Sequence, residues 1–285
     1  MLVATLKIKS ELKRRVCLMN KLILSILILF ILNPLVSYAD KPSVVLENLT
    51  WMEAEKALQK YEVVLIALGA RTKEHGPHLL LKNDYVMAEY LKERVIKEVP
   101  VIVLPTLQYG YYPAFLEYPG SISIQAVTFT KIIMDICQSM NGYGIKKFYV
   151  LNTGVSTLRP LAQAKEELNK NGIFLDYLNI LEVDENLPPG LMKQEGGTHA
   201  DEGETSMMLY IAPETVNMSK AVKDYDSRPD RRGLTRDPDG EEHFSPTGIW
   251  GDPTLATREK GRIIVENTVS TIIKQVKELI ALKLK

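Results

Sequence analysis

The sequence predicts an α/β protein, a three-layer α/β/α fold built on a mainly parallel sheet. Two observations carry this. Short, almost wholly apolar runs recur along the chain, and segments of helical period separate them. Buried apolar strands alternating with helices imply a parallel sheet covered on both faces. The composition agrees: 285 residues, 46% hydrophobic and 25% charged, suit one large core.

The first strand is expected over 62–68, a run of Val, Leu, Ile and Ala. A helix follows, with Asn83 or Asp84 as its cap and Val86, Met87, Tyr90, Leu91 and Val95 on its apolar face. The second strand is 101–104, closed by Pro105, and 126–140 is helical by period. Gly142 and Gly144 end that helix before a third strand at 147–151. A helix over 161–169 and a strand over 173–178 come next, then a helix over 204–211 and a long amphipathic one over 255–284. Ligands of such sheets bind beyond the carboxyl ends of the strands. That directs attention to the loops at 69–84, 105–120 and 152–160.

Residues 1–39 read as a separate object. Six basic residues and one acidic residue precede an apolar run from Leu22 to Ile31, and small residues at Ser37 and Ala39 suit cleavage after Ala39. This is the pattern of a secretory signal peptide. The run is short for a membrane span, though an uncleaved membrane anchor is the alternative. Residues 40–285 then form one secreted or periplasmic domain. Removing the leader from a chain with 35 basic and 35 acidic residues leaves a net charge of −5, which argues against nucleic acid as a partner. Cys17 lies in the leader, so Cys137 is alone; its apolar neighbours suggest a buried structural thiol.

The four histidines are placed informatively. His75 and His78 lie in a Lys73-Glu74-His75-Gly76-Pro77-His78 loop, nine residues before Asp84. His199 stands ahead of Glu202 and Glu204 at a helix start, and His243 stands alone in a polar loop. Imidazole and carboxylate together suit Zn, Mn or Fe, so Glu74, His75 and Asp84 are the expected metal ligands. A plain helix cap at Asp84 and a structural His-Gly-Pro-His loop are the competing reading. Between 108 and 121 the chain is dense in aromatics: Tyr109, Tyr111, Tyr112 and Glu117 are expected either to line a substrate pocket or to form a subunit interface.

Three motifs in order resemble the creatininase family. His75-Gly-Pro-His78-Leu79 with Asp84 is similar to its Glu-Gln-His-Gly-Pro-His-Leu-Pro…Asp signature. His199-Ala-Asp-Glu-Gly-Glu-Thr-Ser206 resembles its His-Ala-Gly-Glu-x-Glu-Thr-Ser motif, and Gly248-Ile-Trp-Gly-Asp-Pro253 its Gly-x-x-Gly-Asp-Pro ending. The resemblance spans roughly residues 45–280 and implies a creatininase-like fold, commonly hexameric, with two divalent metals that help open a cyclic amide or another C–N bond. It implies His75 as a ligand, Asp84 as the bridging ligand, and His199 and Glu204 as catalytic groups.

The departures are as informative. Lys73 replaces the family's metal-binding Glu two residues before His75, and Glu74 stands at its Gln. The loop Asn152-Thr153-Gly154-Val155-Ser156-Thr157 lacks the His of the family's Asn-Gly-His-Gly-Gly-Asn, and no His lies between 78 and 199. Lys73 brings a positive charge where a cation sat and joins His199 and Glu204 as a candidate catalytic residue. The expected cofactor is therefore one divalent metal ion, with none as the alternative. The expected function is hydrolysis of a C–N bond in a small molecule other than creatinine. A catalytically altered binding oligomer is the competing class.

Overall fold

A computed structural model describes residues 42–185, 187–225 and 233–284. The expected leader and its cleavage after Ala39 lie outside the described residues. The main elements run β1 (Val44–Val45), α1 (Trp51–Leu58), β2 (Val63–Leu68), α2 (Asn83–Val95), β3 (Ile102–Leu107), α3 (Ala126–Asn141) and β4 (Lys147–Asn152). They continue with α4 (Leu158–Lys170), β5 (Phe174–Tyr177), α5 (Ile180–Glu185), α6 (Glu202–Ile211), β6 (Leu234–Thr235), β7 (His243–Phe244) and α7 (Arg258–Ala281).

Strands β1 to β5 form one sheet in the order β1-β3-β2-β4-β5, and every pairing in it is parallel. Strand β2 is central and wholly buried. Its side chains alternate between faces, as strand geometry requires. Val63 and Leu65 enter one core with Met87 and Leu91 of α2, Met208 of α6 and Val265, Val269 and Ile272 of α7. Val64 and Ile66 enter the other with Phe129 and Ile133 of α3 and Leu161 and Leu168 of α4. Two cores separated by the sheet are the three layers.

Strand β3 runs past Pro105 instead of stopping there. Ile66 pairs with Leu104 and Leu68 with Leu107, so Pro105 and Thr106 lie opposite the single residue Ala67. The bulge absorbs a residue that cannot donate to the ladder. Two short elements at the N-terminal side, β1 and α1, escape the apolar-run reading. The α1 signal lies in Thr50 and Glu53, which form a capping box.

Helix α7 packs against α6 so closely that a Cβ on Gly261 would collide with the Ser206 carbonyl. Lys260 pairs with Glu202 across the same contact. Among the described residues, no helix is long and apolar enough to cross a membrane.

Candidate functional site

Three segments converge at the carboxyl end of β2. The loop 69–82 brings Lys73, Glu74 and His75; the first turn of α2 brings Asp84; the start of α6 brings His199 and Glu204. Asp84 is not the cap of α2. The cap position is Lys82, so Asp84 sits inside the first turn with its side chain free for the loop. Two ladder-like bonds between His199 and Trp250 hold the backbone of His199. Asp201 caps α6 by accepting from the Glu204 N–H, and the Glu204 carboxylate accepts from the Ala200 N–H at 2.6 Å.

Lys73, His75 and Asp84 are buried. The Lys73 ammonium lies 2.7 Å from Asp84 Oδ2, as an ion pair. It also stands 4.9 Å from the Phe115 ring centroid and 5.4 Å from that of Tyr112. Burial alone would raise the Asp84 pKa, but the charges of Lys73 and then His75 outweigh it and hold the carboxyl below the usual range. Burial would likewise lower Lys73; Asp84 and then Glu204 reverse the sign and raise it. A buried pair of this kind is costly to break, because the surviving charge has neither solvent nor partner.

The imidazole hydrogen bonds show where a cation would sit. His75 Nδ1 donates to the Lys73 carbonyl at 2.9 Å, since a carbonyl only accepts. Its Nε2 faces Asp84 Oδ1 at 2.8 Å and Glu204 Oε1 at 3.9 Å. His199 Nε2 is tied to the Glu74 carbonyl at 3.0 Å and to Oε2 of its carboxylate at 3.1 Å, and leaves Nδ1 facing Glu204 Oε2 at 3.7 Å. Each ring thus has one nitrogen anchored by a backbone carbonyl; the other nitrogen of His75 bonds Asp84 with Glu204 farther off, and the other nitrogen of His199 faces Glu204. Ligating histidines are held in this way. One ligand atom from each of His75, His199 and Glu204 lies within 4.8 Å of the others, and two imidazoles with a carboxylate suit a divalent ion.

The Glu74 carboxylate is occupied by His199 and the Gly76 N–H, and a Cβ on Gly248 (φ +83°) would collide with it. Of the expected ligands Glu74, His75 and Asp84, the structure therefore places His75 at the point of convergence. Asp84 is shared between His75 and Lys73, and Glu74 lies one bond behind His199. Burial raises the Glu204 pKa to about 7.

The cleft beside these groups has a volume of about 650 Å³ and is walled at this end by Lys73, Phe115, Thr153, His199, Glu204 and Trp250. Tyr109, Tyr111, Tyr112 and Glu117 are not among its lining residues. Tyr109 is half exposed, Tyr111 packs on the core shared with α3, and Tyr112 is buried beneath Lys73. Glu117 accepts from the Thr235 hydroxyl and the Arg236 N–H. The aromatic in this loop that does reach the cleft is Phe115, whose ring centroid lies 4.4 Å from that of His199. Its signal was present, inside the same aromatic loop. His243, alone in sequence, is buried, and its ring lies against Trp250 with the centroids 4.3 Å apart.

The family model for creatinine amidohydrolase matches residues 47–276. The chain belongs to the creatininase family. Creatinine amidohydrolase of Pseudomonas putida is 25% identical over 83% of this chain and 97% of its own length. A mycofactocin precursor peptide peptidase of Mycobacterium ulcerans is 26% identical over 75% of this chain and 84% of its own. The 3-dehydro-scyllo-inosose hydrolase of Thermotoga maritima is 24% identical over 84% and 85%. Among solved structures, a mutant creatininase superposes with a TM-score of 0.66 at 25% identity, covering 83% of this chain and 98% of that one. A manganese form of creatininase superposes at 0.65 with 24% identity, over 83% and 98%. These relatives are hydrolases with different substrates, so creatininase-family membership sets the fold and the reaction type more tightly than the substrate.

Proposed function

We propose that the protein hydrolyses a C–N bond of a small molecule other than creatinine, using a single divalent ion held by His75, His199 and Glu204. The observation that carries this reading is the convergence of three ligand atoms within 4.8 Å at the polar end of the cleft. A bound ion would polarise the amide oxygen and acidify a water molecule. The protein's own residues do the rest. Glu74 fixes the His199 ring through Nε2, and the Lys73 carbonyl fixes the His75 ring through Nδ1. Phe115 covers His199 and keeps water from that side. Lys73 balances Asp84 and sets a fixed positive charge in the cleft wall, where it favours negative charge developing on a substrate oxygen.

The count of one ion rests on Lys73. Its ammonium already neutralises the carboxylate that the resemblance makes a bridge between two metals. Thr153 and Gly154 stand where the family has its next ligand, so a second ion lacks both charge and donors. The same ion pair supports the competing reading, a small-molecule binder that has lost catalysis. Metal analysis separates the two. Zinc- or manganese-loaded protein is expected to retain one ion per chain and to lose it in His75→Ala and in Glu204→Gln. Protein that holds no ion under replete conditions sinks the hydrolase reading.

The double variant Lys73→Glu with Gly154→His should raise the content from one ion to two. A Cβ at Gly154 meets only Thr157 Oγ1 at 3.4 Å and Tyr112 Cε1 at 3.5 Å, so the new side chain has room to start. An unchanged content counts against the single-ion account. The leader pattern supports export to the periplasm or beyond, and the family resemblance supports a homo-oligomer. Mass spectrometry of the exported protein should find Asp40 at its N-terminus.

A further inference from the structure

The cleft is larger than the polar group at its end requires. About 650 Å³ falls within the range of pockets that bury drug-sized ligands. Its lining also holds six apolar side chains: Ile180 and Leu181 from α5, Leu187, Met192, Met207 from α6 and Ile264 from α7. Met207 and Ile264 are buried and form the floor, while Leu181 is 38% exposed at the rim. The two ends are physically continuous. Met207 lies three residues beyond Glu204 on α6, which puts both on one face of that helix. A Cβ on Gly203 would stand 3.3 Å from Met192 Cε, so Met192 lies against the turn that presents Glu204. Apolar side chains beside a reacting centre exclude water and reward an apolar substituent.

We propose that this apolar arm is a substrate subsite: the molecule hydrolysed is an amide whose scissile C–N group lies at the His199–Glu204 end and whose acyl side carries a linear apolar group several carbons long. The proposal rests on the hydrolase reading for the position of the scissile group, and on the arm alone for the apolar group. The six arm side chains are apolar, and Thr268, one turn beyond Ile264 on α7, donates its hydroxyl to the Ile264 carbonyl at 2.8 Å, so the discrimination expected is by length.

The test uses zinc-loaded full-length protein and the linear primary amides from acetamide to octanamide. Binding is followed by calorimetry and hydrolysis by ammonia release. Burying one methylene is worth roughly 0.8 kcal/mol, so the dissociation constant should fall about fourfold per added carbon until the arm is full. Leu181→Glu and Met192→Glu should each flatten the series. Val127→Ser, on an exposed position of α3, should leave the slope intact. Binding that is absent, or indifferent to chain length in the unmodified protein, overturns the subsite. Ammonia released equally from short and long amides overturns it too, while leaving the hydrolase reading in place. Length-dependent binding with no ammonia from any amide supports the subsite and counts against the hydrolase reading.

Discussion

His78 carries a hydrogen bond, not a charge. Its Nε2 lies 2.8 Å from the Thr205 hydroxyl and ties the loop after β2 to α6. Burial first, then the proximity of His75, lowers its pKa to about 4. A histidine depressed in the folded state binds its proton more readily in the unfolded chain, so stability falls as pH drops from about 6.5 towards 4. Glu204, raised to about 7, has the opposite slope over nearly the same range, its contribution falling as pH rises from about 4.5 to 7. It is present with or without His78 and cancels in a comparison. His78→Gln keeps a neutral group opposite Thr205, and its urea midpoint should therefore decline less between pH 7 and pH 4 than the parent's. Parallel declines would show that His78 is not the group being titrated. Such roles are hard to read in a sequence. The motif marks His78 as special, but only the fold places Thr205, 127 positions away, at its ring.

At the scale of elements, the helix pair α6–α7 decides how firmly Glu204 is held. Gly261 lets the backbones meet at Ser206, the Ser206 hydroxyl accepts from the Thr257 N–H, and Thr257 caps α7 by accepting from Lys260. Gly261→Ala gains helix propensity worth about 1 kcal/mol. It must also push α7 away from the Ser206 carbonyl, and overpacking of this kind costs roughly 1–3 kcal/mol. The steric term wins, so a net loss in the urea midpoint is expected, and a gain would show that the helices can part freely. Thr257→Ala should cost about 1 kcal/mol by loss of the cap. The elements themselves were largely legible: β2, β4 and the helices α2, α3 and α7 follow from apolar runs and helical period. The boundaries that shifted did so for local reasons. Pro105 is carried in a bulge, and α4 begins three residues ahead of Leu161, where Arg159 and Pro160 add no apolar period to the first turn.

The whole molecule divides its work between the two faces of the sheet. The candidate site groups ride on the loop after β2, on α2 and at the start of α6, all on the face that α7 covers. The face carrying α3 and α4 supplies core but none of the candidate ligands. The sequence motifs named most of these groups, because Gly, Pro, His and carboxylates cluster in loops after strands. They did not show that Lys73 pairs with Asp84 or that His199 joins His75, since both depend on how the layers stack. That division is testable with two truncations of similar size. Met208 on α6 and Leu161 on α4 are both fully buried, one in each core. Met208→Ala and Leu161→Ala should each cost about 2–5 kcal/mol in urea unfolding. Interiors are close-packed, so the cavity left by Met208 lets α6 shift, and Glu204 lies one turn away on that helix. Zinc affinity, measured by competition with a chromogenic chelator well below the unfolding transition, should therefore weaken in Met208→Ala and hold in Leu161→Ala. Equal losses of affinity would mean that the sheet transmits strain between its faces and that the site depends on both cores.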